Sequence, residues 1–175
     1  MIAALLLWMS WFLGPLLADA AIAKTIEFQG FMSHVAGLGM IPHSLAWPLT
    51  VAALAGEYTL AALFMTDTGT TVGFFSTLGL LTVFTIFVGW ALRTGKKMTC
   101  YCFGQDDVGI SFITLVRNLA LLGLAMVGGL FSFYENLAWS WPESIVVVIY
   151  GLSSGLLFLA AYKLANLWSI SRSFV

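Results

Sequence analysis

Charged residues are scarce in this sequence. Only 9% of its 175 residues are Asp, Glu, Lys or Arg, whereas about a quarter is usual for a soluble domain. The basic residues form no patch, which excludes nucleic-acid binding through a basic surface. No internal repeat, heptad seam or low-complexity tract occurs, and no polar stretch is long enough to form a second, soluble domain.

Apolar residues make up 61% of the chain, and its mean hydropathy is +0.99. A single soluble core of this size could not bury so much apolar surface. A helix needs about 20 apolar residues to cross a bilayer. Five segments qualify, at 2–22, 45–65, 72–92, 112–133 and 145–168. We therefore expect an all-α integral membrane protein, a five-helix transmembrane bundle forming one domain over 1–175 and contacting the lipid bilayer.

The first loop contains apolar residues at helical spacing, which predicts an interfacial amphipathic helix over 25–36. Gly37 or Gly39 would end it. Five spans place the first and third loops on one face of the membrane. His34 and His43 in the first loop are therefore expected on the same side as the cysteines in the third.

The basic residues predict which side each loop faces, because short cytoplasmic loops are rich in Lys and Arg. All seven lie in or near the first loop, the third loop or the C-terminus. The rule places the cysteine loop, 93–111, on the cytoplasmic face and the N-terminus outside. A cysteine pair in the cytoplasm would rest as thiols unless a catalyst oxidised it.

Both cysteines, Cys100 and Cys102, lie in the third loop with one residue between them. They cannot be bridged within a regular helix, because residues two apart point to different faces. In a turn, which Gly95 and Gly104 permit, their Cα atoms can reach the roughly 4.4–6.8 Å that a disulfide requires. A redox pair, half of a metal site and a chance occurrence all remain open.

A metal site is the sharper rival to a redox pair. Cys100 and Cys102, together with His34 and His43, have the composition of a tetrahedral Cys₂His₂ site. Their spacing matches no zinc signature, and a histidine near a membrane surface more often caps a helix or reaches into the interface. We therefore favour the redox pair.

Glu57 is the most costly residue in the sequence. It falls near the middle of the second span, where an ionised carboxylate costs about 2.5–3.5 kcal/mol or more. Arg117, with Asn118 beside it, is the expected partner, and we favour a clamp between helices over a proton-handling or quinone-contacting role. Asp19 and Lys24 are expected at the interface.

Several of these residues occur together in a recognisable order. Lys24 follows the first span, Glu57 lies in the second, a basic run occupies 93–97, a Cys-Tyr-Cys-Phe-Gly string occupies 100–104, and Arg117-Asn118 opens the fourth span. This order resembles the methylamine utilisation protein MauE family, which is related to the DoxX-like membrane proteins. The similarity spans most of the chain, and the Cys-x-Cys-Phe-Gly string is its most specific part.

The resemblance implies a DoxX-like four-helix core with one added C-terminal span, located in the bacterial cytoplasmic (inner) membrane. It further implies maturation of a disulfide-rich partner alongside a thioredoxin-like protein. As a mechanism, the cysteine pair could pass electrons between such a protein and a lipid-phase acceptor, for which a quinone is a candidate. Cys100 and Cys102 would be the redox pair. Glu57, Arg117 and Asn118 would be motif positions and candidate cofactor-binding residues without a defined role.

A different class of function stays open, that of a non-catalytic accessory or anchor subunit of a larger respiratory or dehydrogenase complex. The small size, the lack of a soluble domain and the glycine-bearing spans agree with it. Gly151 and Gly155 have the GxxxG form, which could mark a surface for a partner helix.

Overall fold

The computed structural model describes residues 2–37, 42–66, 70–94, 112–133 and 141–173. All regular secondary structure in these ranges is helical. The helices are α1 (Ile2–Ile26), α2 (Phe28–Gly37), α3 (His43–Met65), α4 (Thr70–Thr94), α5 (Phe112–Ser132) and α6 (Trp141–Ser173). Five of them, all but α2, are long and apolar enough to cross a membrane.

The predicted five-span, all-α bundle is confirmed, with differences at the ends of helices. The short helix expected in the first loop is α2, which ends at Gly37 as predicted. Residue 25 belongs to α1, which continues to Ile26. The last helix begins at Trp141, four residues before the predicted span, because Pro142 fits the first turn of a helix, where its missing N–H costs nothing.

Contacts along the helices fix their directions. Gly14 in α1 lies against Phe64 near the end of α3, and α4 and α5 form an antiparallel hairpin in which Phe75 meets Phe133 just beyond α5. Near the other end of α1, Lys24 contacts Glu57 of α3. Phe64 also meets Phe74 near the start of α4, and Tyr162, late in α6, lies against Arg117 near the start of α5. It follows that α1, α4 and α6 end towards one side, from which α3 and α5 begin. We call this side the cysteine face, because the 95–111 connection that carries both cysteines joins α4 to α5 there.

Close packing holds the hairpin of α4 and α5 together. Phe74 is fully buried and meets Phe64 edge to face, with ring centroids 5.0 Å apart. Gly128 in α5 lies directly over the Phe74 ring, and a Cβ at this position would overlap that ring. The absent side chain therefore sets how closely α5 approaches α4.

The GxxxG sequence in α6 is used inside this chain. A Cβ on Gly151 would lie 2.7 Å from the Cβ of Trp11, and Gly155 lies against the backbone of Phe12. Between the two glycines, Ser154 accepts a hydrogen bond from the Trp8 indole N–H at 3.2 Å. The glycines thus pack α6 on α1, so the expectation of a surface for a partner helix is not met at these positions.

Candidate functional site

A buried ion pair joins α1 to α3. The Nζ atom of Lys24 lies 2.6 Å from Oε1 of Glu57, and the two side chains are 1% and 2% exposed. Lys24 also donates to the carbonyl of Ala20 at 3.4 Å. Glu57 therefore has a partner of opposite charge, as its cost in a membrane requires.

The expectation that Lys24 is interfacial is wrong, and the lengths of the helices explain why. Although α1 ends two residues after Lys24, α3 begins 14 residues before Glu57, or about 21 Å along its axis. The end of α1 thus lies beside the middle of α3. Lys24 lies near the end of its own helix, but it is enclosed because α3 extends well beyond the end of α1.

Two aromatic rings complete the enclosure of the Lys24 ammonium. Its Nζ atom lies 5.7 Å from the ring centroid of Phe31 in α2 and 5.0 Å from that of Phe84 in α4. Such distances suit cation–π attraction. The short helix α2 therefore covers the ion pair. Whether it also roofs the cysteine loop stays a prediction, because that loop lies outside the described residues.

A second polar pair lies on α5. Arg117 donates from Nε and Nη2 to Oδ1 of Asn118, at 3.2 and 2.8 Å, and the two residues are 5% and 2% exposed. The guanidinium carbon of Arg117 lies 4.6 Å from the ring centroid of Tyr162 in α6. Arg117 was the expected salt-bridge partner of Glu57, but the salt bridge of Glu57 is formed with Lys24.

One cavity brings these groups together at the centre of α1, α3, α4 and α5. Its volume is about 30 Å³. Its polar lining consists of Lys24, Glu57, Thr77, Arg117 and Asn118, and the rest of its wall is apolar. The three candidates from the sequence, Glu57, Arg117 and Asn118, thus share one site, to which the structure adds Lys24 and Thr77.

The additional site residues gave little signal in the sequence. Lys24 carried one, since it stands at the end of an apolar run with the acidic Glu57 in the next span. Thr77 carried none, because a threonine in an apolar helix usually bonds to its own backbone. Tyr162 lies in the last span, and a tyrosine in a membrane span is ordinarily accounted for by the preference of aromatic residues for the membrane interface.

The size of the cavity decides which ligand it accommodates. A cavity that admits a benzene ring measures roughly 150 Å³, about five times the 30 Å³ found here. In its described form the site does not fit the ring of a quinone. We therefore derive no step that passes through a quinone.

The two histidines have separate surroundings. The Nδ1 atom of His34 lies 2.6 Å from the carbonyl oxygen of Gly30, one turn earlier in α2. His43 is exposed at the start of α3. Within the described ranges no group of three or more metal-ligating side chains occurs. The Cys₂His₂ alternative also requires Cys100 and Cys102, which lie outside those ranges, and it stays a prediction.

The polar groups extend from the cysteine face towards the middle of the bundle. Arg117 is five residues after the start of α5, about 7.5 Å from the point where the cysteine connection enters that helix. Glu57 is eight residues before the end of α3, about 12 Å from the opposite side. Buried polar groups therefore extend from about 7.5 Å below the cysteine loop to the middle of the bundle.

A multi-pass helical membrane protein with buried charges in its interior is the class that fold and site define. The family model described as methylamine utilisation protein MauE matches residues 2–131. The match covers well over half of the chain, which therefore belongs to the MauE family of membrane proteins associated with methylamine utilisation. No curated protein and no solved structure matches the chain significantly.

The extent of the match separates two parts of the molecule. It includes both cysteines, the Lys24–Glu57 pair and Arg117, and it ends one residue before the end of α5. Four membrane-spanning helices, α1, α3, α4 and α5, thus lie within it except for the last residue of α5. That they form a DoxX-like core stays a prediction. The last span, α6, lies beyond the match and supplies Tyr162 to the polar site.

Proposed function

We propose that this protein carries out thiol–disulfide exchange through Cys100 and Cys102 during maturation of a partner redox protein. The observation that carries the proposal is the MauE family match, which spans the Cys-x-Cys-Phe-Gly string together with the residues of the buried polar site. A pair separated by one residue closes a small ring. Strained disulfides of this kind are reactive rather than structural.

The exchange proceeds through a mixed disulfide. A thiolate of the partner attacks one sulfur of the Cys100–Cys102 disulfide, and the other sulfur leaves as a thiolate. The partner's second thiolate then breaks the mixed disulfide. Two electrons pass to this protein, which holds two thiols, while the partner gains a disulfide. A thioredoxin-like protein in its disulfide form then reoxidises the pair by the same kind of exchange, and it leaves with the two electrons as two thiols.

The described helices support this role by fixing both ends of the cysteine connection. The 95–111 segment leaves α4 at Thr94 and enters α5 at Phe112, and close packing of Phe74 on Gly128 holds these two helices together. Thiol–disulfide exchange requires direct contact between sulfur atoms, so it is favoured when the cysteine pair is held between two fixed helices. The proposed location is the bacterial cytoplasmic membrane.

Differential alkylation of thiols in isolated membranes tests the proposal. Cys100 and Cys102 are expected to switch together between thiol and disulfide when the redox poise changes, and Cys100→Ser or Cys102→Ser is expected to abolish maturation of the partner. Tyr101→Phe, between the two cysteines, is the matched control and should retain activity. A fully active Cys102→Ser variant, or cysteines that stay free under oxidising growth, would overturn the proposal.

An accessory-subunit function is favoured by one observation, the exposure of α6. Only 11% of its membrane-spanning stretch, Ile145–Tyr162, is buried, against 28–61% for the apolar stretches of the other four spans. The helix also lies outside the family match. Purification in mild detergent separates the two functions. Stable co-migration with a respiratory or dehydrogenase complex, unaffected by Cys100→Ser, would favour the subunit.

A further inference from the structure

The central cavity contains a buried hydroxyl whose bonding is unlike that of its neighbours. Thr77 is fully buried and lines the cavity, and its Oγ1 has no hydrogen-bond partner among the described residues. Thr82 and Thr85, on the same helix, both donate to the carbonyl four residues earlier, at 2.7 and 2.6 Å. Thr77 makes no such bond to the backbone.

Leaving such a group unsatisfied is expensive. A buried polar group without a hydrogen bond costs about 1–3 kcal/mol, and buried hydroxyls are accordingly bonded to protein or to ordered water. The opposite wall offers a matching donor. Lys24 has three N–H donors, of which Glu57 and Ala20 account for two.

We propose that this cavity is an internal water site, in which one or two water molecules bind between Thr77 and the Lys24–Glu57 pair. A bound water needs a cavity of at least about 10–15 Å³ and two to four polar partners. The volume of about 30 Å³ and the five polar residues of the lining meet both conditions.

Water at this position has a structural consequence. It would bridge the ion pair of α1 and α3 to the hydroxyl of α4, and Arg117 and Asn118 place the polar wall of α5 within the same cavity. A bound water also solvates the two charges, which lowers the cost of keeping them inside the bilayer. Water binding in this cavity is separate from the exchange chemistry of the cysteines and does not depend on it.

Hydroxyl-radical footprinting of the full chain in lipid nanodiscs tests the proposal, because radicals formed from bound internal water oxidise the side chains beside it. Leu16 and Leu6 are a matched pair, since both lie on α1 and are 1% exposed. Leu16 lines the cavity and Leu6 does not. We expect Leu16 to be oxidised several-fold faster than Leu6, and Leu121, also in the lining, to follow Leu16.

Two substitutions assign the water to the Thr77 hydroxyl. Thr77→Val keeps the shape and removes the hydroxyl, and it is expected to bring the oxidation rate of Leu16 down towards that of Leu6. Thr77→Ser keeps the hydroxyl and should leave the rate high. Equal rates at Leu16 and Leu6 in the unmodified protein would overturn the proposal, as would a rate at Leu16 that Thr77→Val leaves unchanged.

Discussion

Lys24 and Glu57 form a salt bridge of 2.6 Å in the interior of the bundle, with both side chains no more than 2% exposed. The pair ties the end of α1 to the middle of α3 and thereby sets the depth at which the two helices meet. It has the form of the helix clamp that the sequence predicted for Glu57, with a different cation. Both partners belong to the part of the chain that matches the MauE family.

Removing one partner of this pair should be strongly destabilising. Lys24→Met removes the cation that lies 2.6 Å from the Glu57 carboxylate, and breaking a buried ion pair in this way costs about 3–5 kcal/mol. The double variant Lys24→Met/Glu57→Gln is expected to lose much less than the sum of the two single losses. Unfolding in mixed micelles measures the difference. Arg93→Met, which removes an exposed cation, serves as control, and strictly additive losses would contradict a coupled pair.

Gly128 should tolerate no side chain. A Cβ at Gly128 overlaps the Phe74 ring, whereas a Cβ at Gly123 on the same helix meets nothing within 4 Å. Gly128→Ala is therefore expected to lower the free energy of unfolding by about 1–3 kcal/mol through overpacking. Gly123→Ala should be neutral or stabilising, by up to about 1 kcal/mol, because alanine favours the helix. Thermal unfolding of both variants checks the difference, and equal behaviour would refute the packing argument.

Much of the architecture was predictable because a bilayer imposes a simple rule on sequence. Runs of about 20 apolar residues predict membrane-spanning helices. All five predicted runs coincide with helices long enough to cross a membrane. The site was less accessible. Glu57, Arg117 and Asn118 stood out because polar groups are rare inside a span, but the choice between Lys24 and Arg117 as partner depended on how far α3 continues past the end of α1.

The sequence does not reveal that the hydroxyl of Thr77 lacks a hydrogen-bond partner within the described part of the chain. Threonines at 77, 82 and 85 look alike in an apolar helix, and only the packing of the neighbouring helices distinguishes the one that faces a cavity. The glycines of α6 show a related limit. Their GxxxG spacing predicts close helix contact, but whether the contact lies within the chain or with another protein depends on the position of α1.

Tyr162 lies on α6, outside the family match, and its ring should stabilise the buried guanidinium group of Arg117. Their cation–π geometry predicts that Tyr162→Leu lowers the free energy of unfolding by about 0.5–2 kcal/mol. Tyr162→Phe retains the ring and should cost less. Tyr150→Leu is the matched control, because Tyr150 is 66% exposed on the same helix. If Tyr162→Leu costs no more than Tyr150→Leu, the contact contributes nothing.

The charge rule predicts which side of the membrane the cysteine loop faces. Two of the basic residues that the rule counted are buried in the bundle. Lys24 and Arg117 are enclosed in the bundle, so they cannot be counted as loop charges. Arg93, near the end of α4, still lies at the cysteine face. In the sequence, Lys96 and Lys97 follow it, and no Lys or Arg occurs in the connections at the opposite side. The charge rule therefore still predicts that Cys100 is cytoplasmic.

An impermeant thiol reagent applied after reduction checks this orientation. Cys100 should stay unlabelled in intact cells and react in inverted vesicles. The control is Thr71→Cys in a Cys100→Ser/Cys102→Ser background, because Thr71 begins the span at the opposite end and should react in intact cells. Labelling of Cys100 in intact cells would reverse the orientation. It would also place the thiols in an oxidising compartment, where a disulfide persists without a cytoplasmic catalyst.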